Sequence, residues 1–217
     1  MFDIFWENRD IWLNAWWRTV VICFWGIIGS LILGTLIAVC RVSPTPPLRW
    51  FGTWWVTTFR NMPLTLVFFF IAFGLPTIGV NGSYFVFALV ALWIYTSAVV
   101  CEAIRSGINS VQPGQAEAAR AIGLTFTQTL SLVILPQAFR AIIPPLGSVL
   151  IAMMKNSATA GFFGVPGDLS NTADSLIVGQ GYNALPVMLI ALIGWWLITL
   201  PAAGLLGWYE KKLEIAR

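Results

Sequence analysis

From Asn61 to Cys101 the chain carries no charged residue. A helix in water needs a polar face, and a run of this length has none to offer. A bilayer span needs about 20 apolar residues, so the run holds two spans and a turn. Gly74-Leu75-Pro76 and Asn81-Gly82-Ser83 mark that turn. Two more charge-free runs go from Thr19 to Cys40 and from Ser175 to Tyr209. Charged residues make up only 10% of the chain, against about 25% in a soluble domain. The fold class is therefore an all-α membrane protein.

Five spans are expected: Thr19–Cys40, Leu64–Val80, Tyr84–Cys101, Pro136–Met154 and Pro186–Trp208. With the N-terminus outside and the C-terminus cytoplasmic, the inner segments hold Arg41, Arg49, Arg60, Arg105, Arg120, Arg140, Lys211, Lys212 and Arg217. The outer segments hold only Arg9, Arg18 and Lys155, as the positive-inside rule requires. Ala121–Phe139 is also charge-free, but as a sixth span it would put Lys211-Lys212 outside. As a replacement for the fourth span it would strand Ile142–Met154 in water. It is placed on the cytoplasmic side. Before the first span, Phe5, Trp6, Trp12, Leu13, Trp16 and Trp17 roughly follow one helical face. Residues 1–18 thus read as an interfacial helix, since Trp favours the headgroup level; the other reading is an extension of the first span. Asp3, Glu7 and Asp10 are unsuited to the basic start of a cleavable signal peptide.

Composition excludes several functions. The chain has no histidine, which removes histidine-based triads and zinc sites. Cys23, Cys40 and Cys101 lie in or at the end of apolar runs without metal-ligand spacing and read as small buried hydrophobes. The nine acidic residues are scattered, so a membrane enzyme is disfavoured. The net charge of +3 follows from topology and calls for no nucleic acid.

The most informative stretch lies between the third and fourth spans. Pro113-Gly114 opens a turn, and Gln115–Ile122 is Ala-rich and favours helix. Gly123 ends that helix as a C-terminal glycine. Thr125 and Gln128 can form a capping box for a second short helix, which Pro136 is expected to stop. Glu117 and Arg120 can pair, and the small face of Ala118, Ala119 and Ala121 lets another surface approach closely. An ordinary helical hairpin lying on the membrane surface has the same pattern.

Glu117-Ala118-Ala119, then Gly123, then Ile134-Leu135-Pro136 resembles the EAA loop of bacterial ABC importer permeases. Phe59-Arg60-Asn61-Met62-Pro63-Leu64, Glu102-Ala103-Ile104-Arg105-Ser106-Gly107-Ile108, Val111-Gln112-Pro113-Gly114-Gln115, Leu135-Pro136-Gln137-Ala138-Phe139-Arg140, Pro144-Pro145 and Lys155-Asn156-Ser157 follow the pattern of the polar amino acid group of that family, in its order. Asn61-Met62 and Ser106 depart from it. Within the group the chain looks like the glutamate-uptake permeases of actinobacteria. The resemblance implies a transmembrane permease domain over residues 19–213, with the coupling loop at about 106–140. It implies two cytoplasmic ATPase subunits as partners, a second identical or homologous permease subunit, and an external amino-acid-binding protein. Glu117, Ala118, Ala119, Arg120 and Gly123 would couple to the ATPase. The chain has no G-x-x-x-x-G-K-[ST] loop, so ATP and Mg belong to the ATPase partner. A channel or scaffold without ATP coupling fits the hydropathy but leaves the ordered motifs unexplained.

Polar groups within the spans are candidates for the substrate path. They are Tyr95, Thr96 and Ser97 on the third span, Glu102 and Arg105 at its inner end, and Lys155, Asn156 and Ser157 at the outer end of the fourth. Each has a bland alternative. Glu102 and Arg105 are three apart and can pair on one face, Lys155 can mark a span end, and the hydroxyls can bond between helices. Pro144-Pro145 reads as a hinge or a static kink, and Gly161–Gly167 as an outer gate or an ordinary re-entrant or surface turn.

Overall fold

The computed structural model describes residues 2–215, and those residues are helical with connecting turns. A short helix α1 (Phe2–Glu7) precedes the long α2 (Arg9–Val42). Next come α3 (Pro46–Arg60) and then α4 (Leu64–Phe69), a π-helical stretch Phe70–Gly74 and α5 (Leu75–Thr77). They are followed by α6 (Tyr84–Asn109), α7 (Pro113–Ala121), α8 (Phe126–Gln128), a second π stretch Thr129–Ile134 and α9 (Leu135–Asn156). The chain ends with α10 (Thr159–Phe162), α11 (Leu169–Asp174), a third π stretch Ser175–Gly179 and α12 (Ala184–Ile215).

Among the described residues, four helices are long and apolar enough to cross a membrane: Arg9–Val42, Tyr84–Asn109, Ser131–Phe162 and Ala184–Lys212. A bent pair, Pro46–Arg60 with Leu64–Thr77, whose axes meet at 104°, brings the number to five if it makes one crossing. Of the expected second span Leu64–Val80, the helix covers Leu64–Thr77, too short to cross without α3. The hydropathy pattern missed α3 because Arg49 and Arg60 and an amphipathic phase dilute its apolar content. Asn61 to Pro63 breaks the pair, with Pro63 extended before α4.

Residue 18 lies inside α2 without interruption. From Arg9 onward, the segment read as an interfacial helix is one element with the first span. Likewise Pro136 does not stop a helix. It sits at the start of α9 directly after the π stretch, and the helix runs on through it from Ser131. Pro144 and Pro145 lie inside α9, which passes through them unbroken.

The packing fixes the relative directions. Gly26 faces Leu92, Gly34 faces Val100 and Arg41 reaches Glu102, so α2 and α6 run parallel. Gly107 lies against Ile142 while Met153 packs with Leu92, so α9 is antiparallel to α6, and Gly147 of α9 lies against Leu206 of α12. Gly107 is required by close approach: a Cβ there would stand 2.8 Å from the Ile142 backbone nitrogen. The main core joins Ile22, Phe68, Leu92 and Met153, and a second joins Trp12, Leu169 and Val187. The ends of α2 and α6, the start of α9 and α7 therefore share one end of the bundle.

Candidate functional site

At that end, α7 begins with Pro113 in its first turn. It closes with two bonds, Gly123 N–H to the Arg120 carbonyl at 3.0 Å and Leu124 N–H to the Ala119 carbonyl at 3.1 Å. This is the Schellman pattern, and it needs a left-handed residue, which Gly123 supplies at φ +89°. The capping box forms in both directions. Thr125 N–H donates to Gln128 Oε1 at 2.9 Å, and Gln128 N–H donates to Thr125 Oγ1 at 3.4 Å. The expected small face is turned differently. Ala119 is buried against the chain itself, while Ala118 and Ala121 are exposed beside Ile122, which is 79% exposed. Glu117 and Arg120 are both exposed and do not pair; Arg120 Nε donates instead to the Ala116 carbonyl at 3.2 Å. The loop thus presents an apolar knob and two charges to solvent. Ile122 was not singled out from sequence, although a large apolar residue next to a terminal glycine was the available signal.

Tyr95, Thr96 and Val99 of α6 and Ser148, Ala152 and Asn156 of α9 line a cavity of about 310 Å³. Thr96 is buried, and its Oγ1 has no hydrogen-bond partner among the described residues. A buried unpaired hydroxyl costs roughly 1–3 kcal/mol, so it is a group waiting for a partner. Lys155 lies one turn from Ala152, on the same side of α9, and is exposed. Two expected path residues turn away. Ser97 accepts from Trp55 Nε1 at 3.0 Å and donates to the Ile94 carbonyl at 2.8 Å. Ser157 is buried against Cys23, with its hydroxyl 3.3 Å from Sγ.

Glu102 and Arg105 do approach, at 3.8 Å. Glu102 also pairs with Arg41 of α2 and lies 3.9 Å from Arg60 of α3. The sequence held a sign of this, because Glu102 is the only acid between Asp10 and Glu117. The segment Gly161–Gly167 is pinned rather than loose. Arg18 donates to the Pro166 carbonyl at 2.8 Å, and Leu169 N–H donates to Thr19 Oγ1 at 3.0 Å. Behind it sits Asp168, 0% exposed, which caps α11 through Asn171 N–H at 2.8 Å and leaves Oδ2 without a partner. Burial pushes this carboxyl up to about 6, against the backbone N–H bonds that pull it down.

The family described as "Binding-protein-dependent transport system inner membrane component" matches residues 30–215. The chain belongs to that family. It is 38% identical over 213 residues to the probable glutamine ABC transporter permease protein GlnM of Bacillus subtilis, covering 98% of this chain and 97% of that one. It is 40% identical over 217 residues to the glutamate transport system permease protein GluC of Corynebacterium efficiens, covering 94% and 95%. It superposes with a TM-score of 0.90 and 31% identity on a crystal structure of an amino acid ABC transporter with histidines, over 98% of both chains. The methionine ABC transporter MetNI shares the fold, with a TM-score of 0.73 at 22% identity. The chain is a permease subunit of the bacterial inner membrane with several crossings, not an enzyme.

Proposed function

We propose that this permease moves polar amino acids inward, with glutamate as the preferred substrate. The observation that carries the reading is the cavity between α6 and α9, where Tyr95, unpaired Thr96 and Asn156 offer hydrogen bonds; the exposed Lys155 next to Asn156 in sequence would supply a cation at its margin. Such a site suits a zwitterion with a second carboxylate. The names of the glutamine and glutamate relatives point to the same substrate class. In this reading a second permease subunit, identical or homologous, completes the pathway. An external binding protein delivers substrate, and two cytoplasmic ATPase subunits, holding ATP and Mg, dock on α7 through Glu117, Ala118, Arg120 and Ile122.

The substrate test is uptake by the reconstituted complex. Lys155→Gln is expected to lower glutamate uptake roughly tenfold relative to glutamine, since one charge-assisted bond is worth about 1.5–3 kcal/mol. Equal loss for both would show that Lys155 does not read charge. Transport of a sugar or peptide instead would overturn the substrate class.

The orientation has its own test. In a cysteine-free background, an impermeant thiol reagent applied to whole cells is expected to label a cysteine at Gln180 and not one at Thr127, both exposed positions. Labelling of both would remove α7 and its loop from the cytoplasmic side.

A further inference from the structure

Three guanidiniums, those of Arg41, Arg60 and Arg105, share the single carboxylate of Glu102. Two positive charges are left uncompensated in a cluster whose Arg41 side chain is only 17% exposed. Partial burial strengthens the pull of such a cluster on an anion, because less water screens it. Beside it, α3 shows Trp50, Phe51 and Trp54 to the outside, Trp50 being 70% exposed. Trp50 and Trp54 are one turn apart and share a face. Arg49 and Arg60 stand about three turns apart along one flank of that face, and both are exposed. The opposite side of α3, with Gly52 and Val56, is packed on α2 and α6.

We infer that α3 and the Arg41–Arg60–Arg105 cluster form a binding site for one anionic phospholipid, with the phosphate on the guanidiniums and the acyl chains along the aromatic face. Guanidinium matches phosphate oxygens in a two-pronged geometry. Exposed Trp beside Arg on an amphipathic helix is the pattern of a membrane interface. A free phosphate would satisfy the arginines but would leave Trp50 and Trp54 uncovered, and a bare apolar partner would leave the two charges unpaired. A phospholipid covers both.

The test uses the purified permease–ATPase complex, extracted from bilayers containing phosphatidylglycerol and phosphatidylcholine, with retained lipid measured by mass spectrometry. Arg60→Gln with Arg105→Gln removes two of the cluster's guanidiniums and spares Arg41, whose pairing with Glu102 ties α2 to α6. Trp50→Ala with Trp54→Ala keeps every charge. Wild type is expected to retain phosphatidylglycerol selectively. Both double variants should retain roughly tenfold less or lower, with unchanged thermal stability in detergent. Millimolar inorganic phosphate should fail to displace the lipid. Equal retention in wild type and variants, no preference for phosphatidylglycerol, or displacement by inorganic phosphate would each overturn the site. So would loss of glutamate uptake in the arginine variant with lipid retention unchanged, which would give the cluster to substrate.

Discussion

Gly123→Val is expected to leave the protein in the membrane at its normal level and to lower uptake roughly tenfold or more. Gly123 has φ +89°, and nothing lies within 4 Å of the place a Cβ would take. The substitution therefore meets no clash, and the spans have no reason to misfold. What it meets is backbone strain, about 1–2 kcal/mol for an L-residue in the left-handed region, with a β-branched residue at the unfavourable end. The cheapest relief is to open the two closing bonds, from Gly123 to Arg120 and from Leu124 to Ala119. That moves Ile122 and the last turn of α7, the part proposed to dock on the ATPase. If docking bears about 2 kcal/mol, affinity for the ATPase falls roughly thirtyfold. Gly123→Asn is the control, since Asn tolerates this region and should keep most activity. Membrane abundance, ATPase co-purification and substrate-stimulated hydrolysis separate the outcomes. Normal uptake with normal ATPase binding in the Val variant would show that α7 is a surface hairpin and not the coupling element.

The helices most legible in sequence were those whose apolar character is uniform around the axis. The expected spans Thr19–Cys40, Tyr84–Cys101, Pro136–Met154 and Pro186–Trp208 each fall inside one observed helix. In α2, α6 and α12 the lipid-facing and core-facing sides are both apolar, so composition alone suffices; α9 is more one-sided and was legible from its charge-free run between Arg140 and Lys155. Helix α3 differs because one side packs on the bundle while Arg49 and Arg60 flank the other, and a window average erases that contrast. The bend at Asn61–Pro63 is local backbone chemistry and could be read only once α3 was known to be a helix. In the loop, Gly123, Thr125 and Gln128 were legible because turn and cap chemistry is short-range. The pairing of Glu102 with Arg105 was legible for the same reason. Arg41 and Arg60 join it only through the way α2, α3 and α6 cross. The path candidates divided by helical phase. Thr96 and Asn156 face the cavity, while Ser97 and Ser157, each one residue on, are turned to Trp55 and Cys23. Phase relative to a neighbour is a tertiary fact that spacing along one helix does not contain.

Asp168 escaped notice because an acid in a Gly-Pro turn reads as a solvated loop residue, yet it carries the clearest pH dependence in the molecule. It lies between α10 and α11, outside the spans, with Cys23 of α2 the titratable group facing it and Arg18 holding the neighbouring Pro166 carbonyl. Burial raises its carboxyl from 3.8 to about 6. Well below pH 3.8 the group is protonated both folded and unfolded, and it costs nothing. As pH rises from about 4 to 6 the unfolded chain releases the proton first, so the folded protein loses stability. Above about 6 both states are ionised and the loss is constant, at about 2–3 kcal/mol. Asp168→Asn keeps an oxygen to accept from Asn171 N–H and removes the charge. The variant is expected to melt at the same temperature at pH 4 and 7 as far as this site contributes, and roughly 5 °C above wild type at pH 7. Melting in detergent at both pH values, followed by tryptophan fluorescence, reads the difference. A variant that is less stable than wild type at pH 7 would mean that the Asp168 carboxylate is held by a favourable partner in the assembled transporter. The buried-carboxyl account would then fail.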